Sequence, residues 1–288
     1  MDRTLSKNEA KIVLDLEWRG QLTVTLGDLR TTLGASESYA RVLAHELVRK
    51  GWLERLRPGL FQLIPADRGR EAVADTNPLL AGSALVSPYF YSYGTACTHH
   101  GLTEQRFAEV YLACRQRRAP ETIRGARYVF AHVSEARFFG FAEAAVLGAS
   151  VQMATAERAL VDALDRPQYA GGIAEVSRVV RRALPRLATK ALVDLLERWD
   201  ESALVQRLGY LAELHDVDLP RPVRAALERL VRPGSKVLLG PRAKWGTRGR
   251  LDGDWNIVEN VPRDVLIEKG EAPRRRVWLG AAGPARDR

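Results

Sequence analysis

The sequence predicts an α+β chain in two parts, a small unit of helices and a hairpin over residues 1–66 and a larger mixed domain over 78–288. Three observations carry that prediction. Apolar residues recur at helical spacing in three short segments before residue 50, and a two-strand signal follows them. Between residues 89 and 154, apolar and aromatic runs bounded by turn residues read as short strands. From Thr155 to Val231 the spacing turns to amphipathic helices, so the second part reads as a small sheet followed by a helical bundle.

The first unit can be justified residue by residue. Ser6 can cap a helix over 6–19, with Glu9 three residues on to complete a capping box and Ile12, Val13 and Leu16 facing inward. Leu22-Thr23-Val24 is a short strand able to pair with the later hairpin. Leu26, Leu29 and Leu33 fall at i, i+3, i+7 and predict a second helix, capped by Thr25 and ended by Gly34. Ser36 caps a third helix whose inward stripe is Ala40, Leu43, Ala44 and Leu47, and Gly51 stops it. Trp52–Leu56 and Leu60–Leu63 then flank Arg57-Pro58-Gly59, a turn in which Gly supplies φ > 0. Helix, tight turn, helix, hairpin is the order of a winged helix-turn-helix.

Burying Leu43 and Leu47 leaves the other side of the third helix facing outward. Ser38, Arg41, His45 and Arg49 project together there, with Tyr39 at the rim and Ser36 at the helix start. A helix laid in a major groove would offer Ser38, Tyr39, Arg41 and His45 to bases, while Arg49, Arg55 and Arg57 reach phosphates; Ser36, at the helix start, is a further DNA-binding candidate. A solvated helix face would carry the same residues. Acidic residues nearly balance basic ones before residue 66, so this unit is not strongly cationic on its own.

Residues 67–77 (DRGREAVADTN) are polar and predict a linker. Beyond it, strands are expected over Tyr89–Tyr93, Val110–Ala113, Arg127–Phe130, Phe138–Phe141 and Val151–Ala154, with a short helix over Thr95–His100. Thr155 caps the first of five helices, followed by Ala174–Ala183, Ala188–Trp199, Ser202–His215 and Pro222–Val231. Val237–Leu239 and Trp255–Val258 are further strand candidates, and a basic, partly disordered tail is expected to end the chain.

Lys and Arg number 44 against 35 Asp and Glu, a net charge of +9 that favours polyanionic partners. The excess lies in three clusters: Arg115, Arg117, Arg118, Arg124 and Arg127; Arg178, Arg181, Arg182 and Arg186; and the 232–250 segment. A shared polyanion-binding face would give additional phosphate contacts from Arg242, Lys244, Arg248 and Arg250, although each cluster read alone is a solvated surface. The two cysteines, Cys97 and Cys114, are too few for a disulfide framework and suit a reducing cytoplasm. The first residues lack a signal-peptide core and no run of about 18 apolar residues occurs, so no membrane span is expected.

Catalytic signals are weak. In Cys97-Thr98-His99-His100, adjacency in sequence says little about a nucleophile and base meeting in space. Asp252-Gly253-Asp254 lacks the further carboxylates of a calcium loop, and no phosphate-binding glycine motif follows a strand. No cofactor and no metal are expected. An enzyme using Cys97/His100 or Asp252/Asp254, and a winged helix that docks protein rather than DNA, remain as alternatives.

Three stretches together resemble the AbiEi family of type IV antitoxins, predicted transcriptional regulators of phage-defence operons. RKGWLERLRPGLFQLIP, ending the first unit, is similar to that family's wing, with Phe61 where Tyr is common. YSYGTACTHHGLT, from Tyr91 to Thr103, is similar to its small-residue helix running into His-Gly-Leu-Thr. The most specific is MATAERALVDALDRPQYAGG, which carries Glu157, Arg158, Asp162, Pro167, Gly171 and Gly172. RLGYLAE at 207–213 also fits. The resemblance implies a non-enzymatic autorepressor that binds double-stranded operator DNA at inverted repeats through its N-terminal domain. It also implies an antitoxin counteracting a nucleotidyltransferase-like toxin, with which it need not form a stable complex. Glu157, Arg158 and Asp162 are expected to be structural, pairing with Arg207 or a neighbour.

Overall fold

The computed structural model of the chain describes residues 3–68, 77–82 and 84–267. The predicted linker lies mostly outside them, and the predicted tail from residue 268 onward lies wholly outside them.

The first unit forms as its sequence pattern requires: α1 (Lys7–Trp18), β1 (Thr23–Thr25), α2 (Leu26–Leu33), α3 (Glu37–Arg49), β2 (Leu53–Arg57) and β3 (Leu60–Leu63). The Ser6 N–H donates to Glu9 at 2.6 Å, and Thr25 and Asp28 cap α2 reciprocally at 2.7 and 3.1 Å. Gly34 ends α2 in the left-handed conformation, φ 62°. The strands form an antiparallel sheet in the order β1-β3-β2. Successive side chains of a strand point to opposite faces. Phe61 and Leu63 therefore pack with Ile12, Leu16, Leu43 and Leu47, while Leu60 joins the core of the second domain.

That domain begins with α4 (Pro78–Gly82), β4 (Tyr89–Tyr91), α5 (Tyr93–His99), β5 (Glu109–Cys114), β6 (Glu121–Ile123), β7 (Ala126–His132), β8 (Phe141–Val146) and β9 (Ala149–Ala154). Its sheet is larger than the sequence suggests, six strands in the order β6-β7-β5-β4-β9-β8, with β5 parallel to β7 and β4 parallel to β9. Two strand expectations are corrected. The strand ends at Tyr91: Ser92 stands at the N-cap position of α5, its N–H donating to the Tyr111 carbonyl at 3.1 Å, and Tyr93 enters the helix at φ 52°. Phe138–Phe141 is not a strand before Phe141: the Arg137 and Phe139 carbonyls accept from Arg158, and the Gly140 carbonyl accepts from the Thr155 N–H.

The sheet is covered on both faces. Tyr91 and Tyr128 donate their hydroxyls to the Leu79 and Pro78 carbonyls of α4, at 2.5 and 2.8 Å. On the opposite face Phe90 meets Arg158 of α6 (Ala156–Asp165), its ring 5.1 Å from the guanidinium carbon. The helices continue as α7 (Ile173–Ala183), α8 (Thr189–Trp199), α9 (Ser202–Leu214) and α10 (Arg221–Leu230). A small sheet follows, β10 (Val237–Leu238), β11 (Arg250–Asp252) and β12 (Ile257–Glu259), with short helices α11 (Arg242–Trp245) and α12 (Arg263–Leu266). It packs on α9, where Gly209 leaves room for the buried Trp255; an added Cβ there would sit 2.3 Å from the indole.

Arg158 and Asp162, both fully buried, hold the second domain together. The Arg158 Nε lies 2.9 Å from Asp162, and its Nη1 donates to the Arg137 and Phe139 carbonyls at 2.8 and 2.6 Å. Trp199 stacks on the guanidinium at 4.4 Å, and the Ser92 hydroxyl donates to the second Asp162 oxygen. The expected structural role holds for Arg158 and Asp162, which pair with each other, while Arg207 donates instead to the Leu164 carbonyl at 3.2 Å and Glu157 accepts from the Ala188 N–H at 3.3 Å. Replacing Arg158 by Met would leave the Asp162 carboxylate buried without its counter-charge. Such a loss costs about 3–5 kcal/mol, to be read from urea unfolding of the full chain. A cost below about 1 kcal/mol would contradict this role.

Candidate nucleic-acid interface

Helix α3 buries Ala40, Leu43, Ala44 and Leu47 and turns a continuous ridge to solvent. Ser38, Arg41, Val42, His45 and Arg49 are all exposed along it. Val42, 61% exposed, escaped the sequence reading. Its signal was available, since it lies outside the buried stripe and one position from Arg41. Ser36 works as the helix cap, accepting from the Tyr39 N–H at 3.3 Å and lying 3.0 Å from the Ser38 hydroxyl. Tyr39 leans toward α1, and its hydroxyl accepts from Asn8 at 3.0 Å. It marks the rim, not the middle, of the ridge.

The arginines of α3 are held by acidic neighbours on the same helix. Arg41 pairs with Glu37 at 2.6 Å, and Arg49 pairs with Glu46. An exposed helical pair such as Arg41–Glu37 is worth about 0.5 kcal/mol or less, so a phosphate or a base edge displaces it readily. His45 is 70% exposed, with Glu46 3.9 Å from its Nδ1.

The wing is placed differently. Arg55 is exposed, its guanidinium carbon 5.7 Å from the Phe61 ring centroid. Arg57 turns back toward the second domain and pairs with Glu121 at 2.8 Å. Beside it, Arg124 pairs with Glu54 and donates to Gln62 at 3.2 Å, and the Thr23 hydroxyl donates to the Leu80 carbonyl. Leu60 and Gln62 are buried beneath these contacts. The outer face of the wing is therefore a docking surface within the chain, and Arg57 is part of it.

The remaining basic residues separate in the same way. Arg250 pairs with Glu259 at 2.8 Å, while Arg242, Lys244 and Arg248 are exposed. Their small sheet packs on α9 through Trp255. Arg178 and Arg182 pair with Glu175 and Glu104 at 2.7 and 3.0 Å.

The other candidate sites do not assemble. Cys97 is buried with its thiol 3.8 Å from the Ala159 carbonyl, and burial pushes its pKa up to about 12. His100 instead has its Nε2 2.7 Å from the Ala154 carbonyl. Asp252 accepts from the Trp255 N–H at 3.0 Å and shapes the turn before β12. Among the described residues no three His, Cys, Asp or Glu side chains cluster as metal ligands, and no helix is long and apolar enough to cross a membrane.

The base of α3 is tied to α1 by a contact that sequence spacing does not reveal. Lys50 lies 2.7 and 2.8 Å from the two carboxylate oxygens of Glu9, which is 4% exposed. Burial alone would raise the Glu9 pKa, but hydrogen bonds from Lys50 and Ser6 outweigh it and hold the carboxyl below its ordinary 4.5. The folded pKa lies below the unfolded one, so this stabilisation is present above the unfolded value and lost as pH falls through the folded one. Lys50→Met is expected to cost about 1–3 kcal/mol near pH 7, and less as pH falls below the ordinary carboxyl range and Glu9 takes up a proton. Thermal unfolding across that range checks it, and a cost independent of pH would contradict the pairing.

In overall shape the chain is similar to the crystal structure of RV2827C protein from Mycobacterium tuberculosis, with a TM-score of 0.58 at 18% sequence identity. The likeness, which is one of fold, covers 89% of this chain and 92% of that one. No curated protein sequence matches the chain. Residues 12–64, from within α1 to just past β3, match the family described as "Transcriptional regulator, AbiEi antitoxin".

Proposed function

We propose that the protein is a DNA-binding transcriptional regulator of the antitoxin type, which reads duplex DNA through α3. The observation that carries this reading is the ridge of Ser38, Arg41, Val42, His45 and Arg49, exposed along a helix whose other side is fully packed. It coincides with the segment that matches the regulator family. A helix of this diameter fits a major groove, where Arg41 can donate two hydrogen bonds to a guanine and Val42 can meet a thymine methyl. Ser38 and His45 take neighbouring base edges, with Tyr39 at the rim. Arg49, Arg55 and the start of α3 at Ser36 lie toward the phosphates, which position the helix without specifying sequence. Arg57 and Arg250, held by Glu121 and Glu259, are left out of the interface.

The fuller reading is an autorepressor. Two copies bind an inverted repeat upstream of their own operon, in the cytoplasm, and the second domain counteracts a nucleotidyltransferase-like toxin encoded beside it. Its support is the family match, and no toxin contact is assigned to particular residues.

Arg41→Ala tests the DNA half. The variant is expected to lose about 1–3 kcal/mol of discrimination between operator and random duplex, measured by titration at one salt concentration. Equal losses on both duplexes would mean that Arg41 touches only backbone. No loss on either would remove α3 as the reading element.

A further inference from the structure

The arginine run after β5 is largely paired within the fold. Arg115 holds Glu135, Arg118 donates to the Leu85 carbonyl and lies 3.8 Å from Glu121, Arg124 holds Glu54, and Arg127 holds Glu109 at 2.9 Å. Arg117 alone of this run has no ion pair or hydrogen bond among the described residues. It lines a cavity of about 350 Å³ together with Arg118, Phe130, His132, Arg166 and Tyr169.

The cavity sits where β5 and β7, parallel neighbours, end side by side at Cys114 and His132. Arg117 and Arg118 come from the loop leaving β5, and Arg166 and Tyr169 from the turn after α6. Loops at the carboxyl ends of parallel strands are where open α/β sheets bind ligands. No carboxylate lines this cavity. Two acids stand outside the lining, Asp165 3.4 Å from Arg166 and Glu121 3.8 Å from Arg118. Two of the three guanidiniums are already oriented. Arg118 stands over Phe130 at 4.9 Å, and Arg166 donates to the His132 carbonyl at 3.1 Å. Arg117 is free to close on whatever enters.

Three guanidiniums line a concave site that no carboxylate lines, and of the three Arg117 is the one without an ion pair among the described residues. Planar forks held in place match phosphate oxygens in pairs, and three exceed the needs of a single phosphate. The volume suits a small molecule and not a duplex. The geometry points to a binding site in the second domain for a small polyphosphate, either bare pyrophosphate or the phosphate chain of a nucleoside di- or triphosphate. This site is separate from α3 and does not depend on the DNA reading.

Calorimetric titration of the full chain with pyrophosphate and, separately, with ATP tests the proposal. Each is expected to bind at one site per chain. Arg117→Glu is expected to weaken both at least tenfold, without moving the melting temperature, since Arg117 has no partner to lose. Arg41→Ala is expected to leave both unchanged. Equal affinities would mean that the site takes the phosphates alone, and tighter ATP that the nucleoside is also held. Absence of pyrophosphate and ATP binding to the wild type, undiminished binding to Arg117→Glu, or loss of binding in Arg41→Ala would each overturn it.

Discussion

Strand β3 is covered on both faces, and the rest of the arrangement depends on that. Phe61 and Leu63 close the core of the winged helix, while Leu60 and Gln62, on the alternate positions, are buried against the second domain. A wing usually presents its outer face to solvent or to a groove. Here that face meets α4 and the β6–β7 hairpin, and charged pairs around its rim, Arg57–Glu121 and Arg124–Glu54, cover the edge strand. Of the winged helix's two reading elements, α3 is the one left open.

Ion pairs between elements recur through the described residues of this chain of net charge +9. Many of its described arginines, among them Arg57, Arg124, Arg137 and Arg207, are turned to acids or carbonyls of distant segments and act as ties between elements. Arg158 is the extreme case, fully buried among Phe90, Phe139 and Trp199 with Asp162 as its counter-charge. Charge left without a partner is then informative. Charge that is unpaired or only weakly held is found on the ridge of α3, where the pairs are exposed, and at Arg117 in the cavity at the ends of β5 and β7.

Local patterns in the sequence reach as far as local physics does. The caps at Ser6, Thr25 and Ser36, the stripe from Ala40 to Leu47 and the glycine at 34 announce α1, α2 and α3, because each is decided within a few residues. Strand β8, FAEAAV, was not readable, since its alanines have little β-propensity and pairing with β9 across a tight turn decides its conformation. The loop before it is likewise shaped by Arg158, some twenty residues later. The fate of Arg57 could not be read from spacing either, because Glu121 lies in a different domain. The exposed ridge of α3 was legible from periodicity, Val42 included; what α3 binds was not.

The central claim is that α3, and not the tip of the wing, reads DNA. Hydroxyl-radical footprinting of the full chain, with and without duplex DNA from upstream of its own gene, reads side-chain accessibility at both elements at once. Protection of Val42 and His45 with Pro58 unchanged is the expected result. Protection of Pro58 with Val42 and His45 still reactive would contradict it.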